Sequence, residues 1–319
     1  MINLRDIRYC RIGVSNLNDA TRFAVDLLGL DVAYREPGAV YFKSDDRDHT
    51  LVYFDGKPDD HTVAFEATSE VDLDAAASEL QNVGIDATHG TKDECEARHI
   101  GAMIKFRDPS GCKIELVWKA HHSGIRYYGG RDAGITGFSH VGLYTSNPKR
   151  DENFWTGVCS AKVSDWIGEA ALLRIDNVHH KIALFPSMRG GIQHINHQVE
   201  SQDDIMRSWY LMKDKGVRIV FGPGRHPTSG ASFLYFEGPD GMIYEYSCGV
   251  RTITKADEEA GYRPRQPEEI SPGDGRAEAW GSQPTRPGQR RWSGTWRRLA
   301  YTKEWLACNT TRQMTRSEQ

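Results

Sequence analysis

Residues 137–160 read GFSHVGLYTSNPKRDENFWTGVCS, and residues 8–30 read RYCRIGVSNLNDATRFAVDLLGL. Each stretch alternates apolar and polar positions, reaches a Ser-Asn turn, continues with helix-like spacing and stops at Gly or a small residue. Aligned on that pattern, Arg11 falls opposite His140, an offset of 129 residues. Three further pairs follow in order. HTLVYFD (49–55) matches HKIALFP (180–186) at offset 131. AFEATSEVDLDAAASELQNVGI (64–85) matches NHQVESQDDIMRSWYLMKDKGV (196–217) at offset 132. DPSGCKIELVW (108–118) matches GPDGMIYEYSC (238–248), with Glu115 opposite Glu245 at offset 130. Matches in one order at a nearly constant offset mean two copies of one unit of about 125 residues.

Each copy divides again. The first predicts strands near 8–14, 30–36, 39–44 and 49–55 with a helix at 18–28, then strands near 61–68, 85–90, 100–107 and 112–119 with a helix at 71–83. The second predicts strands near 137–144, 161–166, 170–176, 179–185, 192–200, 217–222, 231–237 and 242–248, with helices at 148–157 and 202–215. The module is therefore βαβββ, used four times in an α+β chain. One module cannot cover its own apolar face, so modules pair into half-closed, barrel-like sheets with a ligand cleft inside. The expected division is 1–125, 134–250 and a tail at 251–319. Residues 255–291 of that tail are rich in Pro, Gly, Glu and Arg and read as irregular and extended. RRWSGTWRRLAYTKEWLAC (290–308) carries three Trp and suits a flap or a subunit contact.

The chain has 319 residues, with 40 Lys plus Arg against 44 Asp plus Glu and a net charge of −4. That balance lacks the basic footprint of a nucleic-acid binder. No apolar run approaches the roughly 20 residues of a membrane helix, and the N-terminus lacks a secretory pattern, so a cytoplasmic protein with no membrane partner is expected. Six scattered cysteines without CxxC spacing read as small buried apolar residues.

Three residues stand out in the second copy. His140 lies in FSHVGLY, His194 in IQHINHQV and Glu245 in MIYEYSC, each within an expected strand. A buried mid-strand carboxylate needs a partner or a metal. Two imidazoles and one carboxylate held on rigid elements form the facial set of non-haem Fe(II), leaving three adjacent positions open. The first copy retains Glu115 but sets Arg11 and Thr62 opposite the two histidines, so the repeat alone does not demand them.

These segments resemble the type I extradiol ring-cleavage dioxygenases of the vicinal oxygen chelate superfamily, over roughly residues 5–250. SHVGL, QHINHQV and DGMIYEYSCG are similar to the family's metal-ligand segments. VHHKIAL is similar to its acid/base histidine segment, and GRHPTSG and ASFLYFEGPDG to those carrying a further histidine and a tyrosine. The resemblance implies the glyoxalase/bleomycin resistance fold, with Fe(II) held by His140, His194 and Glu245 and Mn(II) as the other candidate. It implies His180 as acid/base catalyst, and Tyr235 and His226 as partners of a catechol. The reaction implied is extradiol cleavage of a substituted catechol or related polyhydroxylated ring by O2, with both oxygen atoms entering the product. Pocket candidates on the ligand faces are Phe138, Asn196, Phe233 and Ile243. His179, one position from His180, is expected on the opposite face in a structural role. His197 is expected opposite His194, and His121 and His122 in a solvated link. The resemblance and the Trp-rich tail favour a homo-oligomer. The competing readings are a metal-dependent glyoxalase-like isomerase or thiol transferase, and a metal-free binding module.

Overall fold

A computed structural model describes residues 1–264. Its first sheet contains β1 (Leu4–Val14), β2 (Asp31–Glu36), β3 (Ala39–Lys43), β4 (Leu51–Asp55), β5 (His61–Ala67), β6 (Thr88–His89), β7 (Ala102–Arg107) and β8 (Lys113–Trp118). Its second contains β9 (Ile135–Thr145), β10 (Lys162–Ile167), β11 (Ala170–Arg174), β12 (Ile182–Pro186), β13 (Gly191–Val199), β14 (Ile219–Arg225), β15 (Ser232–Glu237) and β16 (Ile243–Cys248). The spatial orders are β2-β3-β4-β1-β5-β8-β7-β6 and β10-β11-β12-β9-β13-β16-β15-β14, one topology used twice. In each sheet two βαβββ modules meet along a central antiparallel pair, β1 with β5 and β9 with β13. The result is a pair of curled half-barrels.

Helices start where the side chains can satisfy free backbone N–H groups. Asn16 caps α1 (Leu17–Arg22), which runs on into a π-helical turn at Phe23–Leu27. α2 spans Val71–Asn82. Two short helices, α3 (Lys92–Glu96) and α6 (Lys255–Glu259), add to the expected elements, and α6 begins the stretch expected to be irregular. Each follows a capping box, Thr91 with Glu94 and Thr254 with Asp257, a signal visible in the sequence. Asn147 and Pro148 open α4 (Pro148–Gly157), and a Ser201/Asp204 box opens α5 (Gln202–Asp214). The strand expected at 85–90 shrinks to β6, and β12 begins at Ile182, leaving His179 and His180 in the preceding bend. The Trp-rich stretch 290–308 lies outside the described residues.

The helices cross between copies. Trp155 on α4 is fully buried and packs its ring against Phe65 of β5, centroids 5.4 Å apart. In return Phe23 packs on Tyr244 of β16 at 5.6 Å, and Tyr53 and Tyr244 share a buried hydroxyl–hydroxyl bond. Both sheets thus contribute to a single apolar core, which fixes the second sheet's strands from behind. Cys10, Cys95, Cys112, Cys159 and Cys248 are free and buried. No helix among the described residues is long and apolar enough to cross a membrane.

Candidate metal centre

His140, His194 and Glu245 come from β9, β13 and β16, which lie side by side. In register Asn196 faces both His140 and Glu245, while His194 faces Gly142. The residue opposite His194 has to be glycine for steric reasons. A Cβ at Gly142 would run into the His194 ring, with Cε1 at 2.6 Å. A β-bulge at Gln193 lets its side-chain oxygen accept from His194 Nδ1, leaving the Nε2 lone pair for the centre. Gly142→Ala is therefore expected to weaken metal affinity about 10-fold or more by displacing the ring. Competition with a chelator measures this, and unchanged affinity would contradict it.

His140 Nε2 lies 2.9 Å from Glu245 Oε2 and 3.0 Å from His194 Nε2, and His194 Nε2 lies 3.3 Å from the same oxygen. Donor atoms about 2.1 Å from a shared ion are about 3.0 Å apart on an octahedral face and about 3.4 Å apart on a tetrahedron. The observed triangle is closer to the octahedral face. All three side chains are buried, and Glu245 Oε2 has no hydrogen bond of acceptable geometry. A buried carboxylate oxygen aimed between two imidazole nitrogens is a donor set that fits a cation. Burial, outweighing the pull of Glu245, brings His140 down to about 4. Burial alone would raise the Glu245 carboxyl, but His140, His194 and His226 outweigh it and hold it well below the usual range. At neutral pH His140 is therefore an unprotonated donor and Glu245 carries a negative charge, which suits a divalent ion.

The first copy provides an internal control, and it corrects one expectation. The ladders pair Cys10 with Leu51 and Val141 with Ile182, so Tyr9, not Arg11, occupies the place of His140, at offset 131. A two-residue slip keeps every side chain on its original face, so hydrophobic patterning cannot detect it. Arg11 takes the place of Gly142 instead. Tyr9 Oη donates to Glu115 Oε2 at 2.6 Å, and Arg98 Nε donates to Oε1 at 2.8 Å. In the second copy His140 faces Oε2, and His226 Nε2 faces Oε1 at 3.3 Å. One buried glutamate is thus satisfied by a phenol and a guanidinium, while its counterpart is left with imidazoles and an unmet oxygen. Among the described residues, His140, His194 and Glu245 form the cluster able to hold a metal.

His180 packs at a tilt beside His140 with ring centroids 4.3 Å apart, and Tyr235 Oη lies 3.2 Å from His226 Nε2. Together with His194 these residues line a cavity of about 20 Å³, the space of one or two water-sized occupants. Its remaining walls are Ile167, Leu172, Ala183, Phe185, Thr228 and Ser229, which sequence reasoning did not single out. The alternation of Ala183 and Phe185 along β12 was the available signal. The pocket candidates fare unevenly. Phe138 sits elsewhere, beside His197 at 6.0 Å and under the Arg47 guanidinium, because a bulge between Phe138 and His140 reverses its face. Asn196 is hydrogen-bonded to Ser247 at 2.9 Å. Phe233 stacks on His226 at 3.9 Å, and Ile243 packs with Phe233 and Tyr235 behind the cavity wall. His179 departs from expectation, since its Nδ1 lies 3.1 Å from His180 Nδ1. Strand alternation does not govern these two because they precede β12.

Several buried histidines are held neutral. Burial lowers His140 to about 4, His197 to about 3, and also lowers His49 and His180. The unfolded chain binds more protons at these sites below about pH 6.5, so stability must fall as pH falls from there toward 4. His140 and His197 each contribute about 1.4 kcal/mol per pH unit in that window, and His49 and His180 act in the same direction. Asp108, raised by burial to about 7, has the opposite sign and offsets one of the four. Metal-free protein should therefore unfold at markedly lower urea at pH 5 than at pH 7. Equal midpoints would contradict the buried-neutral assignment.

Comparison with known proteins bears on this geometry. The family model described as "Glyoxalase/Bleomycin resistance protein/Dioxygenase superfamily" matches residues 6–116 and again 137–246. An iron-dependent extradiol dioxygenase of Rhodococcus jostii is 26% identical over 274 residues, covering 79% of this chain and 91% of that protein. The Mn(II)-bound glyoxalase of Novosphingobium aromaticivorans superposes with a TM-score of 0.77 at 24% identity, covering 88% and 92% of the two chains. A halotolerant catechol dioxygenase gives 0.76 at 21%, covering 89% and 96%. At these identities the two structures establish the fold alone.

Proposed function

The chain belongs to the glyoxalase/bleomycin resistance protein/dioxygenase superfamily, and on that premise we propose that its second copy is an Fe(II)-dependent extradiol dioxygenase acting on a substituted catechol. The reading rests chiefly on one observation. Glu245 Oε2 is buried without a hydrogen bond between two imidazole nitrogens, next to a cavity lined by His180, His226 and Tyr235. Extradiol relatives support it, as does a donor set that accepts iron or manganese.

His140, His194 and Glu245 would hold the ion. Bound there, iron would supply Lewis-acid and redox chemistry to a catechol and O2. The protein's own groups handle protons and water. His180, lowered by burial and by its neighbours His140 and His179, could take a proton from a catechol hydroxyl and return it to the ring-opened product. Tyr235, bonded to His226, offers a donor to a catecholate oxygen. Ile167, Leu172, Ala183 and Phe185 give the cavity an apolar wall, which strengthens these polar contacts. Both oxygen atoms enter the product, so no external reductant is required.

The discriminating experiment loads the protein anaerobically with Fe(II) or Mn(II). Each form is then offered a catechol panel with O2, and thiol hemithioacetals without it. O2 uptake with a yellow ring-opened product is expected from catechols, and no isomerisation from hemithioacetals. The reverse pattern would establish the isomerase reading.

A further inference from the structure

The first sheet holds a cleft of its own, of about 730 Å³, a size typical of small-ligand sites. Its walls come from β1, β4, β5, β7 and β8, the counterparts of β9, β12, β13, β15 and β16 around the metal centre. Register sets Arg11 opposite Thr62 where the second copy sets Gly142 opposite His194. The first copy thus carries a guanidinium and a hydroxyl in place of a glycine and a ligating imidazole.

Five cationic side chains line this cleft: Arg11, Arg98, Lys105, Arg107 and Lys113. Three of them have carboxylate partners. Arg98 pairs with Glu115 at 2.8 Å, Lys105 with Glu94 at 2.6 Å and Lys113 with Asp60 at 2.5 Å. Arg107 donates to Gly111 O at 2.7 Å. Arg11 is different. Among the described residues it forms no ion pair, and its Nη1 is buried without a hydrogen bond. The neighbouring Tyr41 hydroxyl, which donates to Ala97 O at 2.8 Å, carries no charge to balance it. The guanidinium lies 5.5 Å from the Phe54 ring centroid, a contact that restrains the group without neutralising it. An arginine side chain stays protonated in a protein, so this positive charge is permanent.

We propose that the first copy's cleft binds an aromatic carboxylate, whose charge is met by Arg11. A planar guanidinium matches the two oxygens of a carboxylate, and the Thr62 hydroxyl in the same cleft is a further donor. Phe54, Ile85, Phe106 and Ile114 give the cleft apolar wall for a ring. An inorganic anion would leave that wall without a partner, and a neutral ring would leave Arg11 unmatched. The exposed Asp86 on the same wall disfavours a second negative charge, so the ligand is a monoanion. The site is independent of what the second copy catalyses, since none of its residues belongs to the metal centre.

The test titrates the full-length, metal-free protein with benzoate and follows backbone amides by 1H–15N correlation spectroscopy. Saturable shifts are expected at Arg11, Thr62 and Ile114, with the amides of His140, His194 and Glu245 unmoved. Benzamide, the neutral analogue, should bind about 10- to 100-fold more weakly than benzoate, and Arg11→Met should weaken benzoate by a similar factor. Glu245→Ala should leave benzoate affinity unchanged. Benzamide binding as tightly as benzoate would overturn the proposal without need of any variant, as would full affinity in a folded Arg11→Met protein. Shifts centred on His140 and Glu245 would place the ligand at the metal centre and overturn it as well. Displacement of benzoate by an equal concentration of inorganic phosphate would overturn the aromatic assignment.

Discussion

Glu245→Ala is expected to remove the metal without unfolding the protein, whereas Glu115→Ala should do the opposite. Glu245 brings the only carboxylate of its cluster, and two imidazoles remain without it. Losing a direct ligand should cost more than the roughly 10- to 100-fold typical of an outer partner, so retention after gel filtration should vanish. Stability of the metal-free protein should change less than in Glu115→Ala, because Glu245 Oε2 has no hydrogen bond and its Oε1 reaches His226 only at 3.3 Å. Glu115 is the matched case. Its removal strands Arg98, whose guanidinium is paired with it at 2.8 Å, and Tyr9. Breaking a buried pair of this kind costs about 3–5 kcal/mol. Metal content by elemental analysis and urea midpoints for the two variants separate these effects. Metal retained in Glu245→Ala would remove the basis for the centre.

His180→Ala is expected to reduce turnover by about 10²–10⁴-fold while iron content and substrate KM stay near wild type. The residue packs against His140 but is not in the donor triangle, so its loss leaves all three donor atoms in place. The accompanying defect should be in proton handling, visible as a changed pH–rate profile for kcat. Near-normal turnover would contradict the role, and loss of iron would mean that His180 acts by holding His140 in position.

The repeat made the architecture readable. Four segments in one order implied eight strands per copy, and the sheets carry eight each. His140, His194 and Glu245 were legible because buried strands seldom tolerate such residues without a purpose. Other features were hidden for definite physical reasons. A two-residue slip is silent to alternation, so Tyr9 was passed over for Arg11. A bulge adds one residue without altering composition, so Phe138 seemed to share the face of His140. His179 looked like a strand residue, but the chain is still bending there, and that bend puts its ring against His180. The apolar cavity wall from β11 and β12 resembled ordinary core. Helices α3 and α6 are too short for a periodic signal, although their capping boxes were in view.

The account makes one claim above the rest, that the second copy cleaves a catechol ring with O2. Its most direct test is 18O2 turnover by the anaerobically Fe(II)-loaded full chain with the best catechol of a panel, followed by mass spectrometry of the trapped product. The account predicts one O2 consumed per ring opened, with both labelled atoms in a product cleaved beside the two hydroxyls. Bound iron with no O2 consumed from any catechol, or a product carrying a single label from O2 itself, would contradict it.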